Sequence, residues 1–76
     1  MTRSELLEEI RETLQRDEDI SLSMKLRDIE EWDSLAFIST LSLYDQLFHI
    51  NVTTGQLENC KTVNDLVELV ADRLDN

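Results

Sequence analysis

Asp33-Ser34-Leu35-Ala36-Phe37-Ile38-Ser39-Thr40-Leu41-Ser42-Leu43-Tyr44-Asp45-Gln46-Leu47-Phe48-His49 is the stretch on which the fold turns. Asp33 is a good N-cap, and an acidic cluster precedes it, where the positive end of a helix dipole favours negative charge. The spacing predicts a helix over 34–49. Leu35, Ile38, Leu41 and Phe48, with Phe37, Tyr44 and Leu47 beside them, cover more than one of its faces. A helix apolar on most sides lies in the middle of a bundle or meets a partner. From Ser34 to Val52 there is one acid, Asp45, and no Lys or Arg. His49 falls at the helix end, where it suits the negative end of the dipole. Ile50 and Val52 continue into a short extended link.

Working outward, Leu6, Leu7, Ile10 and Leu14 recur at helical spacing and predict a first helix from Arg3 to about Arg16. Thr2 with Glu5 reads as a capping box, and Asp17-Glu18-Asp19 ends the pattern. Residues 17–33 then form one long connection. Ile20, Leu22, Met24, Leu26 and Ile29 are scattered through it without a single period, and they favour a loop pinned by its own apolar anchors. Downstream, Thr53 with Gln56 caps a single turn that points Leu57 inward. Thr62 with Asp65 opens a last helix from Val63 to about Leu74, with Val63, Leu66, Val67, Val70 and Leu74 as its stripe. The expected fold is all-α: three longer helices and a short one around one core, in a single domain over residues 1–76. With no Pro and one Gly, the chain has little to interrupt helices. It begins with Met and fills one domain, which reads as a free-standing protein.

Composition narrows the function. A chain of 76 residues buries only about 60–65 % of its unfolded surface and has little room for an elaborate catalytic cleft. One Cys makes no internal disulfide, and one Cys with one His is too few for a structural zinc site. The longest apolar run, Leu35 to Ile38, spans no membrane, and Met1-Thr2-Arg3 opens no secretory signal. A cytoplasmic location is expected. The formal charge of −10 repels nucleic acid and anionic lipid and attracts basic protein surfaces, although acidity also serves solubility alone. Residues 1–33 hold 11 of the 17 acids, with Asp28, Glu30, Glu31 and Asp33 close together.

Catalytic and metal arrangements are not evident. His49 and Cys60 have no partner near them in sequence, and there is no glycine-rich phosphate loop. Asp17, Asp19, Ser21 and Ser23 alternate like the start of a calcium loop, but Leu22 stands where that loop needs Gly and Asp28 where it needs Glu. Asp33-Ser34-Leu35 is more informative. Ser34 has its hydroxyl at the start of an apolar helix, where free amides and the dipole favour a phosphate group. With no base nearby it is a poor nucleophile and reads better as a residue acted on by another enzyme. Plain N-capping is the simpler alternative.

The arrangement resembles the acyl carrier protein family. Trp32-Asp33-Ser34-Leu35 matches the head of that family's second helix. Phe48-His49-Ile50-Asn51-Val52 is similar to its helix exit, Thr62-Val63-Asn64-Asp65-Leu66 to the opening of its last helix, and Leu26-Arg27-Asp28-Ile29 to the apolar end of its first loop. The resemblance covers nearly the whole chain. It implies a four-helix bundle acting as a carrier and not as an enzyme, a monomer without metal. It implies that Ser34 receives 4′-phosphopantetheine from coenzyme A through a phosphopantetheinyl transferase, and that acyl or aminoacyl cargo is held as a thioester. Asp33 would engage the transferase, and Leu35 and Ile38 would face partners: a loading enzyme and synthases with basic docking surfaces. Phe37, Ile38, Leu41 and Leu57 would line a space for an acyl chain, or simply pack the core. Ala36 and Ser39 stand where fatty-acid-synthesis carriers bear acids, and Ser42 where Met is common. These departures favour a dedicated pathway, such as polyketide, nonribosomal-peptide or specialised lipid assembly. A protein-interaction module that kept the bundle and lost the modification is the competing expectation.

Overall fold

Each α-helix begins where a side chain is available for the unpaired amides of its first turn. The computed structural model describes residues 1–75. Helix α1 spans Arg3–Thr13, α2 Ser34–Phe48, α3 Thr54–Glu58 and α4 Val63–Glu68, and two 3₁₀ turns lie at Leu26–Asp28 and Ala71–Arg73. All three capping boxes expected from the sequence are formed, by Thr2 with Glu5, Thr53 with Gln56 and Thr62 with Asp65. Asp33 caps α2: its carboxylate accepts the Ala36 amide at 2.9 Å.

The helix ends differ more from expectation. Helix α1 stops at Thr13 and does not reach Arg16. Gln15 turns left-handed, with φ 57°, while its amide reaches the Glu12 carbonyl and that of Arg16 reaches Arg11. This is a Schellman closure with Gln at the position glycine usually fills. The Arg11 guanidinium also donates to the Arg16 carbonyl at 2.7 Å. Helix α2 ends at Phe48 and is capped by His49, again left-handed with φ 55°, a conformation His adopts more readily than most residues.

The fourth helix is short. It breaks after Glu68 and resumes as a 3₁₀ turn, so the bundle has two long and two short helices where three long ones were expected. In a continuing α-helix the Val70 amide would bond the Leu66 carbonyl. It bonds Val67 instead, at 3.1 Å, and the Leu66 carbonyl accepts the buried Tyr44 hydroxyl at 2.6 Å.

The long connection is pinned, as its apolar residues predict. Leu26 and Ile29 are buried, and Ile20, Leu22 and Met24 pack against the core. Its backbone also carries part of α4. Val63 and Asn64 donate their amides to the carbonyls of Met24 and Leu22, and Leu26 donates to Lys61. Two first-turn amides of α4 are thus satisfied by the loop. Arg16 ties the start of the loop to its end through Glu31 at 2.9 Å.

The core gathers Leu6, Ile10 and Leu14 of the first segment, Ala36, Leu43 and Tyr44 of α2, Leu57 of α3, and Val63, Leu66, Val67 and Val70 around α4. Helix α2 buries a narrower face than its composition suggests. Ala36, Thr40, Leu43 and Tyr44 point inward, and Thr40 satisfies its hydroxyl on the Ala36 carbonyl at 2.9 Å. Leu35 and Ile38 are 72 % and 60 % exposed. No helix among the described residues is long and apolar enough to cross a membrane.

Candidate functional site

Ser34 is the first residue of α2, and its side chain is exposed. Asp33 holds it there. The Asp33 carboxylate takes the Ala36 amide, and the Asp33 carbonyl takes that of Phe37 at 2.9 Å. The amides of Ser34 and Leu35 have no acceptor inside the helix, since no preceding turn exists to supply one. They lie at the positive end of a 15-residue helix. A phosphodiester on the Ser34 oxygen would meet donors and a favourable field there, without displacing any protein contact.

Ser34 borders an open groove of about 500 Å³ together with Trp32, Asp33, Phe37, Ile38 and Glu58. Trp32 and Phe37 form one wall, their ring centres 6.3 Å apart and the planes tilted by 57°. These rings offer apolar contact surface beside Ser34. On the other side of α2, Leu35 and Ala36 border a smaller depression with Thr13, Leu14, Gln15, Glu31 and Asp33. The Arg16 guanidinium holds the Glu31 carboxyl below its ordinary range.

The sequence-predicted residues separate into three groups. Ser34, Asp33, Phe37 and Ile38 meet in the groove. Leu35 lies exposed on the neighbouring face of α2. Leu57 is 1 % exposed and packs in the core, and Leu41, half-buried against that core, lies a turn beyond Phe37. Neither Leu41 nor Leu57 borders the groove. Sequence reasoning passed over Glu58, which reaches the groove from α3 with no motif to mark it. Trp32 is marked in the sequence only by the Trp32-Asp33-Ser34-Leu35 motif. An aromatic two residues before Ser34 was the available signal.

Cys60 is half-buried beside a second groove and directs its Sγ to the Gln56 carbonyl at 3.5 Å. Burial, with Asp65 nearby, pushes its thiol up from its ordinary range and keeps it protonated. His49 is exposed at the far end of α2. Ser34 and His49 stand at opposite ends of that helix, so the imidazole is not beside the Ser34 hydroxyl.

A family model for the phosphopantetheine attachment site matches residues 4–70. The chain belongs to the acyl carrier protein family. It is 32 % identical to an acyl carrier protein of Petrotoga mobilis over 79 aligned residues, which cover 97 % of this chain and 93 % of that one. No solved structure gives a significant match. Members of the family bear a covalently attached 4′-phosphopantetheine group. The first-turn amides of α2 are suited to the phosphate of such a group.

Proposed function

We infer that this chain carries acyl or aminoacyl groups for a biosynthetic pathway, with Ser34 Oγ as the attachment point of its 4′-phosphopantetheine. When bound, that group supplies the thiol that holds the cargo as a thioester. The observation that carries the reading is the exposed Ser34 hydroxyl at the first position of α2, beside Trp32 and Phe37. The chain's own residues position and present. Asp33 fixes the start of the helix and leaves the Ser34 side chain open to solvent at its first position. The amides of Ser34 and Leu35 receive the phosphate charge. Leu35 and Ile38 offer apolar contact to a partner, within a surface whose −10 charge draws basic proteins.

The protein acts in the cytoplasm as a monomeric single-domain carrier over residues 1–76, with no chemistry of its own. Its partners are a phosphopantetheinyl transferase, a loading enzyme and synthases or transferases with basic docking surfaces, and it binds neither nucleic acid nor membrane. The lack of acids between Ser34 and Tyr44 supports service to a dedicated polyketide, nonribosomal-peptide or specialised lipid pathway rather than to general fatty acid synthesis.

Intact mass after incubation with coenzyme A, magnesium and a broad-specificity transferase tests this. The expected result is a gain of one phosphopantetheine, absent in Ser34→Ala, with unchanged circular dichroism in that variant. No gain with several transferases, together with stable co-purification of one protein, would instead identify an unmodified interaction module.

A further inference from the structure

Seven cations stand against 17 acids in this chain, and the structure sorts them into two groups. Arg3, Arg11, Arg16 and Arg73 form ion pairs with Glu68, Glu8, Glu31 and Asp72. Lys25, Arg27 and Lys61 form none within 4 Å among the described residues, and these three line a single groove of about 420 Å³. Its floor is apolar, built from Leu26, Trp32 and Cys60. On a surface this acidic, three cations left without carboxylate partners around one concavity are a concentrated positive site.

The groove is also held in shape. Lys25 and Thr62 pair as an isolated antiparallel bridge, and the Leu26 amide bonds the Lys61 carbonyl at 2.9 Å, so its two rims are joined by backbone. The Asp65 carboxylate is engaged by the amides of Lys61 and Thr62 at 2.8 and 3.2 Å. It reduces the field of Lys61 and leaves Lys25 and Arg27 without a counter-ion. Trp32 lines both this groove and the one that holds Ser34. The two grooves thus adjoin across a single side chain.

We propose that the groove between Lys25, Arg27 and Lys61 receives the anionic far end of the carried acyl group, so that this carrier favours cargo ending in a carboxylate. The proposal rests on the reading of Ser34 as the attachment point. An acyl chain lies on Trp32 and Leu26, and its terminal carboxylate meets Arg27 and the two lysines, in the charge-assisted pairing that guanidinium and ammonium groups make. The volume suits a small ligand. Tethering supplies an effective concentration of about millimolar, so a weak site is sufficient. The apolar floor and the continuity with the Ser34 groove favour cargo over an acidic segment of a partner protein.

Trp32 is the only tryptophan and lines both grooves, so its fluorescence and indole resonance report on either, and the cargo pair with the cation variant tells them apart. The carrier would be loaded by a broad-specificity transferase from glutaryl- and from pentanoyl-coenzyme A, two acyl groups of equal length that differ in the terminal carboxylate. The expected result is a Trp32 response in the glutaryl form that is absent from the pentanoyl form and fades with added salt. In Lys25→Gln/Arg27→Gln/Lys61→Gln the ratio of docked to free cargo should fall by about tenfold, with the helical signal kept. Equal responses to both acyl groups, or a glutaryl response that the triple variant retains, would overturn the proposal.

A parallel titration of Ser34→Ala with free S-glutaryl- and S-pentanoyl-pantetheine separates the two readings. If wild-type protein fails to load but the free glutaryl ester still saturates Trp32, the groove stands and the attachment reading falls. If loading succeeds and Trp32 is silent to both cargoes, the groove proposal falls alone. A response to a glutamate-rich peptide and to neither ester would assign the groove to a partner protein and reject the cargo site.

Discussion

The Tyr44 hydroxyl donates a 2.6 Å hydrogen bond to the Leu66 carbonyl, 22 residues further along the chain, and both residues are fully buried. The bond joins α2 to α4 through the centre of the core. It occupies a carbonyl that the break in α4 has released from its own helix. Tyr44→Phe keeps the ring and its edge-on contact with Phe48 but leaves that carbonyl unsatisfied, at a cost of about 1–3 kcal/mol. Thermal unfolding should shift downward by about 4–8 °C for each kcal/mol lost in a domain of this size. An unchanged midpoint would mean that water or a reformed Val70–Leu66 bond replaces the hydroxyl.

The same burial gives the protein an alkaline limit. Desolvation raises the Tyr44 phenol well above its ordinary value, so the folded state holds the proton more tightly than the unfolded chain does. The stability linked to this group is complete below the unfolded value of about 10 and declines as pH rises above it. Wild-type protein should unfold in alkali with a tyrosinate absorbance that appears together with loss of helix. Tyr44→Phe should lack this component of the pH dependence. Tyr44 is the only tyrosine, so the absorbance has one source.

Asp65 sets a corresponding trend in acid. Its carboxylate accepts the amides of Lys61 and Thr62, and these bonds hold its pKa below the ordinary carboxylate value. For a depressed carboxyl, stability is present above the unfolded value of about 3.9 and is lost as pH falls through the folded one. Asp65→Asn keeps an acceptor oxygen without the titration. Acid unfolding followed by circular dichroism should be less steeply pH-dependent in the variant than in wild type.

Asp33 combines a structural task with a proposed recognition task, and two substitutions separate them. Asn caps helices about as well as Asp, so Asp33→Asn should leave thermal stability near wild type while slowing phosphopantetheine transfer. Asp33→Ala should lose about 1 kcal/mol as well, because the Ala36 amide then lacks its acceptor. Equal transfer rates for wild type and Asp33→Asn would remove the negative charge from the recognition argument.

Leu35 and Ile38 are the two large apolar side chains most open to water, on a helix that buries other residues. Leu35→Glu and Ile38→Glu should change stability by no more than about 0.5 kcal/mol, as expected for surface positions. Each should weaken a partner's use of the protein, read as a raised KM for the transferase. A large loss of stability would instead show that these side chains pack in solution.

The helix starts were legible because capping is local: Thr2, Asp33, Thr53 and Thr62 each act within three residues. The Ser34 position and the pinning of the long loop followed from equally local patterns of charge and apolar residues. Helix ends were less legible. A left-handed Gln15 carries no glycine to announce it, and the Arg11 side chain that supports the closure lies four residues back.

By itself, then, the sequence determined an all-helical chain with four starts, an acidic surface and a serine exposed at the head of its longest helix. Those features depend on contacts a few residues long. The early end of α4 and the gathering of Lys25, Arg27 and Lys61 around Trp32 were decided by the tertiary structure. A helix gives up a carbonyl only when a distant donor such as Tyr44 arrives to take it. Three cations share a groove only when the loop's backbone has been bonded to the start of α4. Both depend on which groups packing brings together, and no short-range pattern of residues encodes that meeting.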